Sequence, residues 1–230
     1  MLLVAFRSEK KRLERTIGNL KKSVREVGSE PRDAAMIQTT ITSGWERVAM
    51  GIERVRERLL RVTSLLNSAS IPYAVLGGNA VAEWVGRVDD GAVRFTKDVD
   101  ILIRRTDLPR VLACLQPAGF VYQEFQGVHM LLDGPHATPK EAVHLVFAGE
   151  KIRADNVAAA PDVTESEVTD EFTVLRLDAL LRMKLIANRR KDQVHILDML
   201  DVGLIDADWI GRLPPELAPR FQALLDNPDS

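Results

Sequence analysis

The chain has 230 residues, 46% of them hydrophobic, with a formal net charge of -2. That length buries a core sufficient for one large or two modest domains, and the near-neutral balance argues for neither nucleic acid nor membrane. The charge is unevenly spread: residues 1–70 hold 14 Lys and Arg against 8 Asp and Glu, which leaves the remainder acidic.

The opening "MLLVAF" is too short for a signal-peptide core and runs straight into charge, and no later apolar run reaches about 18 residues. A cytoplasmic location without a membrane partner is expected. "SEKKRLERTIGNLKKSVREV" sets Leu13, Ile17, Leu20 and Val24 at helical spacing, and "GSEPRD" breaks it. A second helix is predicted over residues 33–68, where Ile52, Val55, Leu59, Val62 and Leu66 recur every three or four positions. Residues 1–68 therefore read as a helical region. From Pro72 the pattern changes: "YAVLGG" is a short strand ending in a glycine turn, "NAVAEWVG" a helix closed by Gly86, and "DVDILI" a strand. "LPRVLACLQPAGF" reads as a helix ending at Gly119. It holds Cys114, the only cysteine, so no internal disulfide forms and a reducing compartment fits. "FVYQEF", "VHMLLDG" and "AVHLVFAG" are further strands, which makes residues 69–160 an α/β core. After the polar stretch "APDVTESEVTDEF", residues 161–230 return to helix at "RLDALLRMKLIANRRKDQVHILDML" and close in a proline-containing tail.

The chemistry concentrates in residues 77–103. Side chains at i and i+2 of a strand share a face, so Asp98 and Asp100 project together while Val99 turns into the core. Two carboxylates held that close repel unless a positive charge lies between them, and a hard divalent cation, Mg²⁺ or Mn²⁺, is the natural compensator. Gly77 and Gly78 let the backbone approach a phosphate closely, and the helix beginning near Asn79 offers amide donors and a favourable dipole. Arg94 and Lys97 stand just before the pair, where they can neutralise phosphate charge. Glycine turn, helix and carboxylate pair in this order form a metal-plus-nucleotide layout.

The order of glycine pair, helix and "RxTxDxD" strand resembles the nucleotidyltransferase superfamily of DNA polymerase β. The version "LGGNAVAEWV…RFTKDVDIL" is most similar to the AbiEii-type toxins and related nucleotidyltransferase-like proteins of bacteria. The resemblance spans about residues 71–202 and rests on four short motifs in the right order. It implies a nucleotidyltransferase-like mixed α/β (α+β) sheet flanked by helices. It implies that Gly77, Gly78 and Asn79, with Arg94, Thr96 and Lys97, hold the triphosphate of an NTP. Asp98 and Asp100 would bind Mg²⁺ or Mn²⁺, and a carboxylate on a later strand would complete the site. The family's "KL.A...R.KD" pattern adds a Lys and an Asp, and "MKLIANRRKD" here sets Lys184, Asn188 and Asp192 four apart on one helical face. The implied reaction moves a nucleoside monophosphate from an NTP to a hydroxyl of RNA, protein or a small molecule, with Asp98, Asp100, Lys184 and Asp192 catalytic. A toxin–antitoxin or phage-defence setting is implied too, with a cognate antitoxin or helical partner protein.

One position departs from that pattern. The strand similar to the family's "VDLLFAG" reads "VHLVFAG", so His144 stands where the third metal-binding carboxylate is expected. An imidazole can join Asp98 and Asp100 in ligating a softer metal or can relay a proton, but it does not serve Mg²⁺ as a carboxylate does, and a structural histidine standing in for a lost ligand, without a catalytic role, is the favoured reading of His144. Asp133 is an alternative carboxylate if its strand lies beside that of Asp98 and Asp100, although "DG" reads more readily as a hairpin turn. The rival functions are an inactive relative that binds nucleotide or a partner as a regulatory module, and a purely structural scaffold. Alone, a glycine pair is a turn, Asp-x-Asp a solvated strand edge, and Lys184 with Asp192 a solvated helix face. Their joint occurrence favours the functional reading. His129 and His195 read as packing or surface residues, and Glu150 with Lys151 as a turn. The basic N-terminal helices would suit an RNA acceptor by charge, but they lack interleaved aromatics, and helical packing or oligomerisation is the favoured use.

Overall fold

The three-and-four spacing of Val55, Leu59, Val62 and Leu66 produces helix α1 (Gly44–Ser68) and buries all four side chains along one stripe. The computed structural model describes residues 44–227, so the helix expected over "SEKKRLERTIGNLKKSVREV" and the break at "GSEPRD" lie outside the described residues. Residues 52–227 form one compact unit, and α1 contributes to its main core from Val55 onward.

That unit is built on a seven-stranded mixed sheet. The strands are β1 (Ala74–Leu76), β2 (Val99–Ile103), β3 (Phe120–Phe125), β4 (Val128–Asp133), β5 (Val143–Phe147), β6 (Ser166–Val168) and β7 (Thr173–Leu175), in the order β3-β4-β5-β2-β1-β7-β6. β2 pairs parallel with β5, and β1 with β7; the other neighbours are antiparallel. The central strands are covered on both faces, which is why β1 and β2 read as nearly continuous apolar runs broken only at Asp100. Helix α2 (Gly77–Gly86) packs on β1 and β2 and against helices α4 (Leu177–Ala187) and α5 (Arg190–Asp201). Helices α3 (Leu108–Leu115) and α6 (Ala218–Asp226) complete the layers. The mixed α/β architecture is the one expected from the sequence.

Three local expectations are corrected. The polar stretch "APDVTESEVTDEF" and the residues after it contain the hairpin β6–β7. Its turn is tied by the Thr169 hydroxyl, which accepts from the amides of Glu171 and Phe172 and donates to the Phe172 carbonyl. Phe172 and Val174 are buried, so this edge belongs to the core despite its polar composition. The helix predicted through "RLDALLRMKLIANRRKDQVHILDML" is two helices, because Asn188 adopts a left-handed conformation (φ 46) that ends α4, and Arg189 is extended before α5 begins. Helix α3 stops at Leu115, two residues before Pro117, rather than at Gly119. Among the described residues no helix is long and apolar enough to cross a membrane.

Candidate metal and nucleotide site

The glycine turn is dictated by close approach. β1 ends at Leu76 and α2 begins at once with Gly77, two residues before the expected start, at φ 73. A Cβ on Gly77 would lie 1.9 Å from Asp100 Oδ2, and one on Gly78 would lie 2.8 Å from Thr96 Cβ. Any other residue at either position would push aside a candidate site side chain, and at Gly77 it would also carry backbone strain. No side chain caps the N-terminus of α2. The Asn79 side chain instead donates to the Asp98 carbonyl at 2.9 Å, which pins the approach to β2.

Strand pairing assembles the acidic pair. Asp100 lies on β2 directly opposite His144 on β5 in the parallel register, and His144 Nδ1 is 3.4 Å from Asp100 Oδ1. Asp98 occupies a bend just before β2 rather than the strand itself. Even so, one donor atom each from Asp98, Asp100 and His144 lies within 4.8 Å of the others, the only such metal-capable group among the described residues. The side chains of Asp98 and His144 are 25% exposed and that of Asp100 24%, so a ligand from solvent can reach all three. Burial opposes charge on Asp98, but the Thr96 hydroxyl, which donates to Oδ1, and the Lys191 ammonium, 3.9 Å from Oδ2, hold its pKa below the usual carboxylate value. The Asp100 carboxylate raises the pKa of His144 against the opposing effect of burial. Two carboxylates and an imidazole within the span of one ion fit a divalent cation.

A second cluster lies where α4 meets α5. Lys184 and Asp192 do not share one helix face: Lys184 is in the last turn of α4 and Asp192 in the first turn of α5, and the left-handed turn at Asn188 folds them together. Asn188 does not join them; its side chain accepts from Gln193 Nε2. Nor do they form a solvated face, since Lys184 is 4% and Asp192 1% exposed. Lys184 Nζ lies 3.3 Å from Asp192 Oδ1 and 2.9 Å from His195 Nδ1, and Arg189 Nε donates to Asp192 Oδ2 at 2.6 Å. An ammonium has no lone pair, so His195 Nδ1 accepts and the ring is the neutral, Nε2-protonated form. Burial, then the Lys184 charge, lowers the His195 pKa to about 4. Burial also lowers that of Lys184, against the attraction of Asp192 and of the more distant Asp100.

The remaining predicted residues are placed as follows. Arg94 Nε donates to both oxygens of Asp198 on α5, at 2.9 and 2.8 Å, while its side chain stays 62% exposed. Lys97 is exposed beside Asp98. Asp133 is excluded as a third carboxylate: β5 separates β4 from β2, and the carboxylate is bound by Arg58 and Arg61 of α1. By strand alternation it also points to the face opposite Asp100. His129 packs in the sheet, with Nδ1 2.6 Å from the Tyr122 hydroxyl and its ring edge-on to Phe147. Glu150 sits in the expected turn and forms a two-bond pair with Arg105. His195, read as a packing or surface residue, packs against Lys184, while Lys191 (facing Asp98), Arg189 and Asp198 are contributors that the motifs do not single out. The basic run "NRRKD" beside Asp192 is the signal for Lys191 and Arg189; the Asp198 contact spans a sequence separation of 104 and leaves no local mark.

Several solved structures are similar to this chain. The solution structure of the antibiotic-resistance factor ANT(2'')-Ia matches at TM-score 0.47 and 15% identity, covering 72% of this chain and 92% of that one. An antigenic nucleotidyltransferase-like protein from Paracoccidioides brasiliensis matches at TM-score 0.45 and 17% identity, over 77% and 90% of the two chains. JHP933 from Helicobacter pylori matches at TM-score 0.41 and 17% identity, over 75% and 74%. No curated protein matches. Residues 12–156, the stretch that contains the glycine turn, the aspartate pair and His144, match the family described as uncharacterised nucleotidyltransferase, and the chain belongs to that family.

Proposed function

We propose that this protein transfers a nucleoside monophosphate from an NTP to a hydroxyl acceptor at the site of Asp98 and Asp100. The observation that carries this reading is the crowding of Gly77 against Asp100, where a glycine-only turn leads into a helix N-terminus beside a pair of carboxylates. A triphosphate bound at the start of α2 would meet backbone donors there, and Arg94, Lys97 and Lys191 around the mouth would offset its charge. A divalent cation held by Asp98, Asp100 and His144 would supply charge neutralisation at the α-phosphate and activation of the acceptor hydroxyl. The acceptor oxygen attacks the α-phosphorus, the bond to the pyrophosphate oxygen breaks, pyrophosphate leaves with that electron pair, and the hydroxyl proton passes to solvent. Lys184, buried behind the site, adds a fixed positive field at Asp100 and with Asp192 holds the α4–α5 turn that presents Lys191.

The finer reading follows the motif order: an AbiEii-type enzyme of a toxin–antitoxin or phage-defence system, acting on RNA, protein or a small molecule and paired with a cognate antitoxin or helical partner. A second reading, a catalytically inactive relative that binds nucleotide as a regulatory module, draws on His144 standing in a carboxylate's place against Asp100. The test is incubation of the purified protein with each α-³²P-labelled NTP, Mg²⁺ or Mn²⁺ and total bacterial RNA or cell extract. Label transferred by wild type and lost in Asp98→Ala/Asp100→Ala establishes the transferase and its acceptor class. Nucleotide binding without transfer under every condition selects the second reading.

A further inference from the structure

We infer that the cation-binding site of this protein is built for a first-row transition ion such as Mn²⁺ in preference to Mg²⁺, with His144 Nδ1 as a direct ligand. This rests on the reading of Asp98 and Asp100 as metal carboxylates. The first ground is placement. His144 is the residue opposite Asp100 on the adjoining parallel strand, and its Nδ1, rather than a ring carbon, faces the Asp100 carboxylate at 3.4 Å.

The second ground is the state of the neighbouring carboxylates. A third protein oxygen ligand would have to be another acidic side chain, and each nearby candidate is engaged elsewhere. Asp133 lies on the far face with Arg58 and Arg61. Asp192 is 1% exposed and held by Lys184 and Arg189. Asp198 accepts two bonds from Arg94. The imidazole is therefore the third donor that the fold presents. Mg²⁺ favours oxygen ligands and retains several waters, whereas imidazole nitrogen raises affinity for the transition series. Charge agrees: two carboxylates and a neutral imidazole balance one divalent ion, while a third carboxylate would leave an excess negative charge beside an incoming triphosphate.

The test measures binding without nucleotide, so its outcome is independent of whether transfer occurs. Wild type and His144→Asp would each be titrated calorimetrically with Mn²⁺ and with Mg²⁺. Pulsed electron paramagnetic resonance of the Mn²⁺-loaded wild type would report directly coordinated nitrogen without any substitution. The expected result is nitrogen modulation from bound Mn²⁺ and a Mn²⁺-over-Mg²⁺ preference at least about tenfold greater in wild type than in His144→Asp. Mn²⁺ bound with no nitrogen coupling, an equal preference in the two proteins, or no ion bound by wild type would each overturn the inference.

Discussion

Asp98, Asp100 and His144, with Lys191 beside them, use the same residue types as Lys184, Asp192 and His195, to opposite ends. In the first cluster two carboxylates meet solvent, and the nearest ammonium, that of Lys191, stands 3.9 Å away on an exposed stem. In the second, Asp192 is almost wholly buried and its charge is met inside the protein by Lys184 and Arg189. A carboxylate–imidazole–cation group is open to a ligand only where its charge is left uncompensated by the fold. Where compensation is internal, the same chemistry is architecture, here a clasp between α4 and α5.

Breaking the buried cluster should cost the most stability. Lys184→Met leaves Asp192 buried without its ammonium, and chemical denaturation should show a loss of about 3 kcal/mol. Asp100→Asn should do the reverse: the melting temperature changes little because relief of the repulsion with Asp98 offsets the lost attraction to His144, while nucleotidyl transfer falls at least about 100-fold in a labelled-NTP assay. Gly77→Ala tests whether the turn serves the open cluster. Its strain should lower stability by about 1–3 kcal/mol, and calorimetry should show metal binding lost through displacement of Asp100.

The two histidines sharpen the contrast through pH. The folded pKa of His144 lies above the unfolded value of about 6.5. Its contribution in metal-free protein is thus fully present below about 6.5 and lost as pH rises through the folded value. His195 titrates near 4 in the folded state, so its contribution is present above about 6.5 and lost as pH falls towards 4. The stability profile of His144→Gln should therefore depart from wild type in its slope above about 6.5 and that of His195→Gln below it, with opposite signs. Slopes of the same sign would undo the assignment of one cluster as open and the other as closed.

Much of the open cluster is legible in the sequence because its parts are local. The glycine pair abuts its helix, the aspartates are two apart, and "VHLVFAG" is an apolar strand with one polar interruption facing the same side. The closed cluster is less legible. Nothing in "LIANRRKDQ" breaks helical spacing by composition, and the left-handed Asn188 that separates Lys184 from Asp192 emerges from how α4 and α5 pack. The hairpin β6–β7 is hidden by its brevity, three residues a strand, and by the acidic residues around it. Arg94–Asp198 and Lys191–Asp98 join segments roughly a hundred residues apart, and no periodicity records them.

The glycine turn and the Asp98–Asp100–His144 cluster are proposed to form one metal-dependent nucleotide site. Its most direct test is calorimetric binding of a non-hydrolysable NTP analogue with and without Mn²⁺, to wild type and to Asp98→Asn/Asp100→Asn. Binding by wild type that requires the metal and disappears in a double variant of unchanged melting temperature is expected. Equal binding without metal, or undiminished binding by the double variant, would contradict it.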